Sequence, residues 1–156
     1  FNITVDYPHK DEESVIIRQV TGPQGDAVGK VLNAEQVLNM QALVRRVPVA
    51  DHVIDFARDL TRATRPNQPE APDFVKEMVA WGAGPRAGIS LITAAKARAV
   101  LYGRYHATTA DVAAVAHPVL RHRVLTTFNA EAAGVKSDKI ISMLLERLRP
   151  SENLDV

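Results

Sequence analysis

The sequence contains no cysteine, which excludes disulfide scaffolds and thiolate metal sites and is compatible with a reducing compartment. Its apolar runs are broken by charge well short of the ~20 residues that a membrane span needs, and no signal-peptide pattern opens the chain. These absences predict a soluble, cytoplasmic protein with no membrane partner. Histidines stand at 9, 52, 106, 117 and 122, without an HExxH pair and without cysteine partners, so no metal site is expected. No serine–histidine arrangement suggests a catalytic triad. The loop TGPQGDAVGK (21–30) fails as a phosphate-binding P-loop, because Gly25 and Gly29 are four apart and Val31 stands where a magnesium-binding hydroxyl is needed. A surface turn is the better reading of it.

At 156 residues and 46% apolar composition the chain can bury one ordinary core. Net charge is only +1, yet it is unevenly spread. Residues 1–81 hold nine Lys/Arg against twelve Asp/Glu, 82–136 hold seven against two, and 137–156 hold three against four. The basic block includes Arg86, Lys96, Arg98, Arg104, Arg121 and Arg123, balanced there mainly by Asp111 and Glu131. It favours an anionic partner, with a solvated basic surface as the plainer alternative.

FNITVDYP alternates strictly, with Phe1, Ile3, Val5 and Tyr7 on one side, and predicts a strand with one buried face. No second run of comparable quality follows, so the strand lacks a sheet to join. With Phe1 rather than methionine at its start, the chain is expected to be the C-terminal part of a longer protein. The rest is helical in period. Helices are predicted over Lys10–Val20, after the cap Asn33 over Ala34–Val44, and over Val49–Thr64. A further helix has Pro72 in its first position and is ended by Gly82 and Gly84; another follows Pro85. Thr108 and Asp111 make a capping-box-like start for Thr109–Ala116, Pro118 separates a shorter helix through Val124 and Leu125, and Ser137 opens a last helix stopped by Pro150. That totals five to seven helices. Asp51, Asp55 and Asp59 share one helix side, where pairing with Arg58 and Arg62 is expected rather than a metal cluster.

WGAGPRA (81–87) is the stretch whose parts cooperate. Gly84 permits close approach, Pro85 fits the first helical position without losing a hydrogen bond, and the free amides of the first turn add positive potential beside Arg86. Such a site can clamp a phosphate through charge-assisted contacts; the rival reading is a structural or solvated arginine at a helix start.

Taken together, FNITVDYP, VLNAEQVLNMQ, VRRVPVADHVIDFARDLTRATRP, WGAGPRA, AAKARAVLYGRYHATTADVAAVAHPVLRHRV and FNAEAAGVKSD closely resemble the C-terminal portion of MoxR-family AAA+ ATPases, from Phe1 to about Arg149. The resemblance implies a mainly α fold: a helical-bundle lid with one N-terminal strand left from an α/β ATPase core. It divides the chain into a core remnant (1–21), a linker loop (22–33), the lid (34–150) and a disordered tail (151–156). It implies an ATP-hydrolysing, chaperone-like machine that uses ATP and Mg2+ and assembles into a ring, usually a hexamer. The resemblance further implies protein clients, von Willebrand factor A domain proteins among them.

Walker A, Walker B, sensor 1 and the arginine finger would precede Phe1, so no catalytic residue and no cofactor bound by this stretch alone are expected. The motif's arginine is the family's sensor 2 residue, which carries to Arg86 with Gly84 and Pro85 shaping the helix start. Arg121 and Arg123, in RHR, receive an interface or phosphate role. Two other classes compete: a helical nucleic-acid-binding module, disfavoured by the acidic first half and the lack of a recognition helix, and a purely structural interaction module.

Overall fold

The computed structural model describes residues 1–23, 25 and 28–148. Along the chain run α1 (Lys10–Thr21), α2 (Ala34–Arg46), α3 (Asp51–Ala63), α4 (Asp73–Met78), β1 (Val79–Trp81), α5 (Pro85–Leu101), α6 (Thr109–Leu120), β2 (Leu125–Thr126), α7 (Phe128–Ala132) and α8 (Ser137–Leu148). The fold is mainly helical, and the described residues hold eight helices, more than the five to seven expected. None of them is long and apolar enough to cross a membrane.

α5 is the central element, packed against α6, α3 and α2. Its buried face is Ala87, Leu91, Ala94, Ala95 and Ala99, small side chains that let the neighbouring helices come close. Leu60 from α3, Leu120 from α6, and Ile140, Ile141 and Leu144 from α8 complete the centre, each fully buried. Each such aliphatic side chain contributes on the order of 1.5–3 kcal/mol by leaving water. By contrast α1 and α2 bury no residue. Val15, Ile16, Ile17 and Val20 are 47–79% exposed, so the apolar stripe of α1 has no partner among the described residues.

Several sequence expectations need correction. Residues 1–7 form no strand, and Phe1, Ile3, Val5 and Tyr7 are all exposed rather than buried on one side. The physical reason is the one the sequence already contains: without a neighbouring strand an alternating segment has no ladder and no sheet face to bury. The segment is instead tied at Asn2, whose N–H donates to Pro118 O at 2.8 Å.

α3 starts at Asp51, because Val49 is drawn off into a parallel bridge with Ala107. Pro72 is the N-cap of α4 rather than its first residue, and α4 stops at Met78 because Val79–Trp81 turns extended and pairs antiparallel with β2. That pairing was not anticipated; it places Val124 and Leu125 outside any helix, and the short α7 follows it.

Pro118 lies inside α6, where a break was expected. Its ring removes the bond to the carbonyl of Ala114, but Ala114 is exposed, so water can satisfy that oxygen and the last turn continues. Arg58 pairs with Asp55 and Asp59 as anticipated, whereas Arg62 turns away from them to Glu70 at 2.7 Å. Pro150 and the tail 151–156 lie outside the described residues.

Candidate functional site

The start of α5 is assembled by residues that are distant in sequence. Gly84 is the N-cap, with extended φ −78° and ψ 174°, and no side chain caps the helix. Pro85 occupies the first turn as the sequence predicts, and Ala87 N–H bonds back to Gly84 O at 2.9 Å. Ala87 is fully buried and anchors the helix body, while Gly84, Pro85 and Arg86 are exposed. The guanidinium of Arg86 makes no hydrogen bond and no ion pair among the described residues. Its backbone oxygen accepts from Ser90 Oγ at 2.9 Å. An uncapped helix start beside a guanidinium with no partner among the described residues is electropositive; Pro85 has no N–H and Ala87 N–H is given to Gly84 O, which leaves the Arg86 amide of the first turn to an anion.

Just upstream, the C-terminal end of α3 grips the turn that leads into α5. Thr64, fully buried, donates its hydroxyl to Thr61 O at 2.6 Å and accepts Ala83 N–H at 2.9 Å. Arg65 Nε donates to Ala83 O at 2.8 Å. Gly82 allows this approach, since a Cβ there would lie 2.4 Å from Thr64 O. Beside the turn, a cavity of about 360 Å³ opens between α3 and α5, lined by Ile54, Arg62, Arg65, Pro85, Gly88 and Ile92 among others.

Arg121 and Arg123 are both engaged within the chain. Arg121 Nε donates to Asp138 Oδ1 at 3.0 Å and its Nη1 to Thr4 Oγ1 at 2.7 Å, joining α8 to the N-terminal segment. Arg123 Nη1 donates to Val119 O and Nη2 to Ser90 Oγ at 3.5 Å, one helical turn beyond Arg86. Arg121 and Arg123 are thus committed within the chain, and Arg86 alone of the three keeps its side chain unpaired among the described residues.

One cluster was missed by the sequence reading. Asp111 is fully buried and accepts from Arg98 Nη1 at 2.5 Å, Arg104 Nη1 at 2.6 Å, Arg104 Nη2 at 2.5 Å, and Thr108 N–H at 3.0 Å. Burial alone would push its carboxyl pKa up. The Arg104 guanidinium, the Thr108 amide and Arg98 outweigh that and hold it well below the usual carboxylate range. The only sequence signal was the Thr108–Asp111 capping box, which the structure contains; the two arginines are brought in by tertiary packing. Arg98 and Arg104, read as members of a general basic field, thus serve a buried ion-pair network. Tyr102 lies against Arg98, whose guanidinium carbon is 4.6 Å from the ring centre.

Among the described residues no group of three or more His, Asp or Glu stands close enough to hold a metal ion. A model of the AAA lid domain matches residues 73–144. The chaperone MoxR1 of Mycobacterium tuberculosis is 33% identical over 148 residues, which is 94% of this chain and 38% of that protein. The uncharacterized protein YeaC of Bacillus subtilis is 23% identical over 150 residues, 96% of this chain and 44% of that protein. A crystal structure of a candidate ATPase from Cytophaga hutchinsonii superposes with a TM-score of 0.85 at 26% identity, covering 95% of this chain and 45% of the other. This chain therefore spans about two-fifths of the length of these curated relatives. The lid model, the MoxR1 relative and the ATPase neighbour together support a MoxR-type AAA+ C-terminal lid fragment, with the exposed Arg86 at the start of its central helix.

Proposed function

We propose that this chain is the region of a MoxR-type ATPase that closes over ATP, senses the terminal phosphate through Arg86 and couples hydrolysis to movement within an oligomeric ring. The observation that carries the reading is the state of Arg86: exposed, in the first turn of a helix with no side-chain cap, and without a partner among the described residues. A structural arginine would be expected to hold a carboxylate or a carbonyl, as Arg65, Arg121 and Arg123 do.

ATP, when bound, supplies the phosphoryl group transferred to water. The residues of this chain suit its terminal phosphate in charge and in donor type: a guanidinium and the Arg86 amide at the α5 start, with Pro85 holding the first turn in helical form. Magnesium would be held by carboxylates and hydroxyls of the ATPase core. On the same reading residues 1–21 belong to that core, 22–33 link it to the lid, and 34–150 are the lid. The exposed apolar stripe of α1 then packs on the rest of the core. A lid that contacts the terminal phosphate is closed in one nucleotide state and relaxed in the other, which lets hydrolysis change the shape of a ring. The whole machine acts as a cytoplasmic chaperone on protein clients, von Willebrand factor A domain proteins among them.

Steady-state hydrolysis by the intact ATPase tests the reading. Arg86→Ala should slow turnover roughly 30-fold to 1,000-fold, the equivalent of about 2–4 kcal/mol of lost transition-state stabilisation. Arg86→Lys should recover part of it, since an ammonium keeps the charge without the planar fork. Turnover unchanged in Arg86→Ala would leave Arg86 as an ordinary helix-start residue.

A further inference from the structure

Ala83, three residues before Arg86, has both backbone groups held by consecutive residues at the end of α3. Its N–H donates to Thr64 Oγ1 at 2.9 Å and its C=O accepts from Arg65 Nε at 2.8 Å. On either side of it stand Gly82 and Gly84, the two positions in this turn with the greatest backbone freedom. Together with the buried methyl of Ala83, the clamp selects among the conformations open to the turn between β1 and α5. The body of α5 is fixed independently by the buried Ala87 and Leu91, so the clamp bears on the direction of the first turn rather than on the existence of the helix. Thr64 is itself held, its hydroxyl hydrogen committed to Thr61 O at 2.6 Å, which leaves the oxygen's acceptor side to Ala83. Arg65 differs from Arg58 and Arg62, both of which hold carboxylates. Its Nε is given to a backbone carbonyl, a contact that recognises the shape of the turn instead of a charge.

We infer that Thr64 and Arg65 are positioning residues for Arg86, fixing the angle at which the start of α5 presents the guanidinium and tying that angle to α3. The inference rests on the phosphate-sensing reading of Arg86. A displacement of about 1 Å in a reacting constellation can cost on the order of 10²-fold in rate, so partial loosening of the turn should cost less than removal of the guanidinium itself.

The test is a set of variants of the intact ATPase: Arg65→Ala, Thr64→Val, Thr64→Ser, Arg86→Ala and the double variant Arg65→Ala/Arg86→Ala, each with ATP turnover and thermal midpoint measured. Arg65→Ala should slow kcat roughly 3-fold to 30-fold, consistent with partial misplacement. Thr64→Val should do the same, while Thr64→Ser, which keeps the acceptor oxygen, should stay within about twofold of the unmodified protein. The double variant should be no slower than Arg86→Ala alone, because a positioning residue has nothing left to position. Thr64 is fully buried and Thr64→Val also perturbs packing, so the half-buried Arg65 carries the decisive comparison. Multiplicative losses in the double variant, or unmodified turnover in Arg65→Ala beside a slow Arg86→Ala, would overturn the inference. Unmodified turnover in Arg86→Ala would instead overturn the reading on which it rests.

Discussion

Replacing Asp111 by alanine should be among the most damaging single changes available in this chain, and the structure allows its size to be reasoned through. The carboxylate is fully buried and accepts from two guanidiniums and the Thr108 amide. Its removal strands Arg98 and Arg104 without a counter-charge. Their side chains are 32% and 36% exposed, so water reaches them in part and limits the penalty. Breaking one side of a buried pair typically costs about 3–5 kcal/mol, and partial exposure of both arginines argues for the lower half of that range. Loss of the capping box at the start of α6 adds about 1 kcal/mol.

A domain of this size has roughly 5–15 kcal/mol in hand, so the variant should retain its fold only narrowly. Urea unfolding of the chain followed by circular dichroism is the assay, and a total loss of about 4–5 kcal/mol at a slope of about 1–3 kcal/mol per molar should lower the midpoint by roughly 1–5 M. Arg104→Ala should cost more than Arg98→Ala, because Arg104 gives two of the three guanidinium bonds. A loss under about 1 kcal/mol for Asp111→Ala would refute the assignment of Asp111 as the hub that joins α5, the following loop and α6.

The same carboxylate sets an acid limit. Its folded-state pKa lies below its unfolded value of about 3.9, so its contribution is complete above that pH and is lost as pH falls from about 4 towards the folded value; Asp111→Asn should flatten the stability–pH curve there. Gly82→Ala should lower the thermal midpoint by an amount corresponding to about 1–3 kcal/mol, since its Cβ would sit 2.4 Å from Thr64 O. Arg86→Ala should change stability by no more than about 0.5 kcal/mol in the same melts, as an exposed side chain without partners among the described residues. In hydrogen exchange of the dilute chain, Ile3 and Val5 amides should exchange fast while Val112 and Ile141 exchange near the global limit; global protection of Ile3 would mean that partner strands exist.

What the sequence made legible was mostly local. Asn33 caps α2 through a bond to Gln36 N–H at 2.8 Å, Thr108 and Asp111 form their box, and Pro85 opens α5, each because the determining residues lie within four positions of one another. Arg86 could be singled out for the same reason. The failures are non-local or context-dependent. β1 and β2 are too short to show a period and exist only because Val79 meets Thr126 across the fold. Pro118 reads as a helix breaker unless it is known that the carbonyl it leaves free faces water. The segment 1–7 has the right pattern for a strand and no sheet to join. The partners of Asp111 and the Thr64–Arg65 grip on Ala83 join elements separated by many residues, and nothing in their spacing announces them.

The central claim is that Arg86 distinguishes nucleotides by their terminal phosphate, and the affinities of the intact ATPase for ATP and ADP test it most directly. A charge-assisted bond to that phosphate contributes about 1.5–3 kcal/mol, so Arg86→Ala should weaken ATP binding roughly 10-fold to 150-fold. Binding of ADP should stay within about twofold. Equal weakening of both nucleotides, or no change in either, would contradict the account.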